Sequence, residues 1–184
     1  MKIIKQDYKK KLDESTLKST GGLRRSLSSS NLSGSTAGSM EVSFGGVQIK
    51  GSNPDGSIPI LFYSSTDGTS YDTQTGRLLG KRQHNPITIR KEVDSTSPFF
   101  YQALVAGSKG KVVITLYGLE QGQRGPRQTT SLDSTFVTNI DQALANTFVP
   151  SSNGTSNPLE EISFVYQKIT WTNISSGVSA SDTW

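Results

Sequence analysis

The chain has no cysteine among its 184 residues and a single histidine, His84. The first absence removes disulfides, thiolate metal ligands and a cysteine nucleophile together. The second leaves any imidazole chemistry to one residue and deprives a transition-metal site of its usual donors, so no metal and no cofactor is expected. No apolar run approaches the about 20 residues of a membrane span. The N-terminus has basic residues but no apolar stretch behind them, which is not the pattern of a standard secretory signal. Export would then have to use a machine that reads the folded protein, and no membrane insertion is expected. Positive charge is also scarcer than the net +4 suggests. Residues 1–39 carry eight basic and three acidic side chains, and the remainder carries 11 and 12. The basic excess belongs to the N-terminal segment, so the body offers no electrostatic reason to expect a nucleic-acid partner.

Two compositional units are present. Residues 1–39 form a basic, Ser/Gly-rich extension. Its first part, residues 2–19, places Ile4, Tyr8, Leu12 and, less closely, Leu17 along one side of a short amphipathic helix, and residues 20–39 have the composition of a flexible linker. Arg24-Arg25-Ser26-Leu27-Ser28 has the form of a basic-directed kinase site.

From Met40 to Trp184 the texture is short apolar runs between turn residues, which predicts an all-β domain. Val42, Phe44 and Val47-Gln48-Ile49 predict one strand with Gly45-Gly46 as a bulge or bend inside it. Asn53-Pro54-Asp55-Gly56 predicts a turn, and Ile58, Ile60 and Phe62 alternate as a strand. Residues 66–75 read as a polar loop, and residues 83–93 as a strand. Thr96, Ser97 and Pro98 predict an N-cap and a proline at the first helical position. The helix then runs over residues 99–106, with Phe100, Ala103 and Leu104 on one side and Gly107 as its left-handed stop.

Residues 111–119 carry apolar side chains in both strand phases, which predicts that both faces are covered, one of them by a helix or a neighbouring subunit. Residues 121–127 read as a turn, 128–140 as a strand and 146–158 as a long loop. The last strand is expected at 161–171, with a bulge near Gln167-Lys168 where the apolar phase switches. Little is expected after it, and no fused C-terminal toxin.

Catalytic constellations are sparse. A Ser-His-Asp arrangement would have to use His84, and no Gly-x-Ser-x-Gly elbow accompanies it. As strand-entry residue, His84 outweighs its reading as general base. Glu160-Glu161 cannot act as a facing acid–base pair on a regular strand and is expected as solvated edge charge. Arg90-Lys91 is likewise expected to be solvated. The run from Gly76 to Arg82 fails as a phosphate loop, because its glycines are one residue too close and Arg82 stands where Ser or Thr would hold a magnesium ion.

Two motifs carry a family resemblance. One runs from Gly80-Lys81-Arg82-Gln83-His84-Asn85-Pro86 through Lys91-Glu92-Val93-Asp94-Ser95-Thr96-Ser97-Pro98. The other runs from Pro158-Leu159-Glu160-Glu161 to Tyr166-Gln167-Lys168-Ile169-Thr170-Trp171. Together they resemble the haemolysin-coregulated protein (Hcp, TssD) family of type VI secretion tube proteins over about residues 40–174. The resemblance implies a compact antiparallel β-barrel with one short flanking α-helix, and assembly into homo-hexameric rings that stack as a tube. It also implies as partners a contractile sheath, a VgrG-like spike and, for some members, effector cargo in the lumen. It implies a structural role rather than catalysis, and residence in the bacterial cytoplasm before secretion. The extension 1–39 departs from the family pattern; docking on a neighbouring ring, plugging the lumen, targeting and plain disorder all remain open for it. Asp67, Gly68, Tyr71 and Asp72 are expected at ring or tube contacts. A phage-type contractile tail tube, a monomeric binding module and a small hydrolase using His84 are the alternatives.

Overall fold

The computed structural model describes residues 36–80, 82–120, 122–143 and 158–184. The amphipathic segment, the linker, the kinase-type site and most of the 146–158 loop lie outside the described residues. Residues Thr36–Trp184 form one packing unit. Its first strand begins at Gly38, two residues before the compositional boundary at Met40.

The elements, in chain order, are β1 (Gly38–Phe44), β2 (Val47–Ile49), β3 (Ile58–Ile60), β4 (Phe62–Ser64), β5 (Asp67–Gly68), β6 (Gln83–His84), β7 (Ile87–Glu92) and α1 (Ser97–Ala106). They continue with β8 (Gly110–Glu120), β9 (Gln123–Ala143), β10 (Leu159–Val165), β11 (Lys168–Asn173) and β12 (Ser179–Thr183). Every strand pairing among the described residues is antiparallel. The backbone circuit runs β1–β8–β9–β10–β7–β4, while β3 pairs back onto β1. Only Leu61 separates β3 from β4, and its amide donates to the Arg90 carbonyl at 2.8 Å. Residues 58–64 therefore link the two ends of the circuit, which is the barrel arrangement. The interior holds Met40, Ile58, Ile60, Ile87, Ile89, Ile114, Leu132, Ile162, Phe164 and Ile169, all fully buried.

Several local expectations are revised. Gly45 and Gly46 do not bend one strand but close the β1–β2 hairpin, with Phe44 opposite Val47. Both have positive φ, 58° and 82°, as a two-residue hairpin turn demands. Ile58 and Ile60 point inward, but Phe62 is exposed and Tyr63 packs on the core instead. The alternation slips at Leu61, where the chain leaves β1 for β7. The expected turn at 121–127 is shorter, because β9 starts at Gln123 and takes Pro126 into the ladder at a register irregularity opposite Tyr117.

The strand β9 is 21 residues long and serves both halves of the barrel. It pairs β8 and β11 up to Thr135, then β10 from Phe136. Ser134 sits at this junction with φ 55°, the only positive-φ residue other than glycine among those described. The expected bulge near Gln167-Lys168 is a full strand break between β10 and β11. The final strand β12, paired with β11 over residues 179–183, is one the sequence reading missed.

The helix starts and stops close to expectation. Pro98 lies in its first turn and Gly107 ends it in the left-handed conformation. Phe100 and Ala103 are buried, and Leu104 packs partly on the core. Thr96 occupies the N-cap position without a side-chain cap bond. Ser97 Oγ instead accepts from the Asp94 amide at 3.0 Å and donates to Glu160 Oε1 at 2.7 Å.

That last bond belongs to the largest correction. Lys91 and Glu160, expected in solvent, are both fully buried. Lys91 shares its strand phase with Ile87 and Ile89, Glu160 with Ile162 and Phe164, and the two lie directly opposite in the β7–β10 ladder. Lys91 Nζ donates to Glu160 Oε1 at 2.8 Å, to Asp94 Oδ1 at 2.9 Å and to the Glu92 carbonyl at 2.7 Å. All three ammonium protons thus have acceptors, which is what makes burying the charge tolerable. Arg90 and Glu161, one residue on, pair on the outer face at 2.7 Å as solvated charges do.

Burial works to raise the Asp94 carboxyl, but hydrogen bonds from Thr96 and Lys91 outweigh it and hold the group below the usual carboxylate range. A depressed folded-state pKa gives stability that is present above the unfolded value, about 3.9, and lost as pH falls through the folded one. The melting temperature is therefore expected to drop below about pH 4 more steeply in the parent than in Asp94→Asn. Equal slopes in the two proteins would contradict this role for Asp94.

Candidate assembly surface

The most distinctive excursion from the barrel is the segment between β4 and β7. What reads as a polar loop is a hairpin with its own two-stranded sheet, β5 against β6. Beyond that sheet Tyr71 bridges to Leu78, the Leu79 amide donates to the Ser70 carbonyl at 2.7 Å, and the Asp72 amide donates to Arg77 at 2.8 Å. The tip is built on Asp72, whose Oδ1 accepts from the amides of Gln74 and Thr75 at 2.8 and 3.3 Å. These hydrogen bonds, Gln74's foremost, hold its carboxyl below the usual range. Tyr71, Leu78 and Leu79 are 61, 73 and 56% exposed, an apolar cluster on a projecting element. Such residues gain most from a partner that covers them.

The four residues expected at contacts are therefore separated. Gly68 and Tyr71 are exposed and Asp72 organises the tip. Asp67 sits at the hairpin base, where it faces His84 Nδ1 at 3.1 Å. The His84 side chain is only 5% exposed, and its Nε2 lies 2.9 Å from Asp182 Oδ2. The Tyr166 hydroxyl is 3.2 Å from Nδ1, and the Trp184 ring lies over the imidazole at a centroid distance of 5.4 Å. Burial first, then the Asp67 charge, pushes the Tyr166 phenol well above its ordinary pKa, so it stays protonated and can donate to Asp67. Burial tends to raise the Asp182 carboxyl, but hydrogen bonds from Arg82 and Thr183 and the Arg82 charge hold it low. Both ring nitrogens of His84 thus face protein partners, and a general base would need one of them free.

Other faces are also open among the described residues. The outward phase of β8 presents Val113 and Lys111 beside Glu41, Ser43 and Gln48, with no helix over them. Both phases of this strand are apolar, but among the described residues only the Val112 and Ile114 phase is covered. A second groove, between the β1–β2 hairpin and α1, is lined by Phe44, Val47, Ile49, Phe99 and Ala106. Among the described residues, no cluster of three or more His, Asp or Glu side chains could hold a metal ion.

Comparison with known proteins places this architecture. The family model described as type VI secretion system effector, Hcp, matches residues 45–173. The chain belongs to the Hcp family. The major exported protein of Pseudomonas aeruginosa is 36% identical over 115 residues, covering 61% of this chain and 66% of that relative. An Hcp protein crystal structure superposes with a TM-score of 0.72 at 22% identity, covering 79% of this chain and 96% of its own. The Hcp1 protein of E. coli follows with a TM-score of 0.65 at 29% identity, over 80% of this chain and 99% of its own. The Hcp match ends at Asn173, so β12 and the Trp184 contact lie beyond it, while the hairpin and the Lys91–Glu160 pair lie within it.

Proposed function

We propose that the chain is a tube subunit of a type VI secretion system, assembling into hexameric rings that stack head to tail. The Hcp family match across residues 45–173 carries this reading. The exposed apolar surface among the described residues supports it: a closed ring needs two different complementary faces on each subunit. The apolar hairpin and the open outer face of β8 are two such faces. The subunit waits in the bacterial cytoplasm and leaves with the tube, and the relative named as a major exported protein favours export. Sheath, spike and lumenal cargo are its partners under this reading, and its role is structural rather than catalytic.

Size-exclusion chromatography with light scattering tests it. Particles of about six times the 19.9 kDa chain mass are expected, with longer stacks at high concentration. A strict monomer at high concentration would sink the tube reading and leave a monomeric binding module. Tyr71→Asp combined with Leu78→Asp should weaken ring or stack formation at least tenfold. Because both side chains are exposed, monomer stability should change by only about 0.5 kcal/mol. Unaltered assembly in that double variant would remove the hairpin tip from the contacts.

A further inference from the structure

The hairpin that spans residues 66–84 is attached to the barrel in an uneven way. Among the described residues, its side-chain hydrogen bonds to the rest of the chain all converge on Tyr166 and the end of β12. Arg82 binds both carboxylate oxygens of Asp182 and donates to the Thr183 carbonyl at 2.7 Å. His84 reaches Asp182 and Tyr166, and Asp67 accepts from Tyr166 at 3.4 Å. The partners are 82 to 101 residues apart in the chain. The C-terminal strand is itself held in place by β11 and by the Trp184 amide, which donates to the Gln167 carbonyl at 3.0 Å.

We infer that His84, gripped between Asp67 and Asp182, is a positioning residue that makes the C-terminal strand the brace of the assembly hairpin. The inference deepens the tube reading, since it concerns how the hairpin is aimed at its neighbour. The physical case is one of leverage. A two-residue ladder such as β5–β6 cannot hold a projecting hairpin at a fixed angle by itself, because isolated hairpins are marginal in water. The imidazole supplies what the ladder lacks. It is rigid and buried, and it offers two nitrogens on opposite sides, one toward the hairpin base and one toward β12. Arg82 adds a bidentate grip on the same carboxylate, and bidentate pairs fix angle as well as distance. Trp184 packs against the imidazole, with the rings tilted 39° to each other.

Hydrogen–deuterium exchange on the full-length chain, with parent and variants compared in the same assembly state, reads this directly. His84→Ala and Asp182→Asn should each speed exchange across residues 66–84 by roughly ten- to a hundredfold. Amides of β8 and β9 should be unaffected. Deleting residues 179–184 should do the same without touching the hairpin itself. Should His84→Ala fail to fold, Asp182→Asn still decides the matter, because that side chain is on the surface strand. Hairpin exchange unchanged in Asp182→Asn and in the deletion overturns the inference, and so does a uniform rise over the whole barrel. Light scattering on the same samples separates the two readings. A loosened hairpin in intact rings keeps the brace and removes the hairpin from the ring contacts. Lost rings with an unmoved hairpin overturns the brace and leaves the tube reading standing.

Discussion

Lys91→Met is expected to destabilise the barrel by about 3–5 kcal/mol, because it leaves Glu160 buried without its counter-charge. Glu160 has no exposed surface, and its Oε1 accepts from only Lys91 and Ser97 among the described hydrogen bonds. Domains of this kind are stable by only about 5–15 kcal/mol in total, so this single loss is a large fraction. At about 2–4 °C per kcal/mol for a chain of this length, the melting temperature should fall by about 6–20 °C. Glu160→Leu should cost less, because the Lys91 ammonium keeps Asp94 and the Glu92 carbonyl as acceptors. The combination Lys91→Met with Glu160→Leu is expected to lie well above either single variant, since an apolar pair of similar volume often replaces a buried ion pair at little cost. Ser97 and Asp94 each lose a partner in the double variant, so full recovery is not expected. Thermal melts of the four proteins at one concentration give the cycle, because assembly makes melting temperature concentration-dependent. A double variant worse than both singles would show that the pair contributes more than mutual neutralisation.

Phe100→Ala is the second large effect, at about 3–5 kcal/mol for a fully buried aromatic ring. Phe100 is 0% exposed and stands edge-on between Phe44 at 6.3 Å and Phe164 at 6.4 Å between centroids. One ring thus joins α1 to β1 and to β10. A helix of 10 residues is too short to persist alone in water, so its order depends on that contact. Chemical denaturation should show the loss as a lower midpoint, and amides of residues 97–106 should exchange faster than those of the barrel. Phe100→Leu, which fills much of the same volume, should recover more than half of the loss. If the helix amides stayed protected in Phe100→Ala, the mooring of α1 would have to be sought in Ser97 and Ala103.

The two substitutions probe features of opposite legibility. Phe100 lies on a helix whose start, stop and inner face are all encoded within 12 residues: a proline in the first turn, a glycine at the end and apolar spacing between. In the Lys91–Glu160 pair, charge and strand phase point opposite ways: charge toward solvent, phase toward the core. Lys91 continues the alternation of Ile87 and Ile89, and Glu160 leads that of Ile162 and Phe164. That periodicity was a usable signal. What it could not say was that the two strands would be neighbours in register, which is the condition for burying either charge. The hairpin at 66–84 was partly legible too. Its turn residues were evident, but the pairing of β5 with β6 spans 15 residues and left no local alternation to find.

The amino-acid sequence by itself determined the β-rich class, the capped helix, the phase switch in the last strands and the family, because each depends on neighbours close in the chain or on the order of a motif. The tertiary structure alone decided which strands are adjacent, and with that the fate of every charge whose partner is distant. His84 meets Asp182, and Lys91 meets Glu160, across 98 and 69 residues. The outer face of β8 is uncovered for the same reason. Its apolar residues show that something should pack there, but only the assembled barrel shows that no element among the described residues does. Local propensity acts over a few residues, whereas burial is a property of the whole closed circuit of strands.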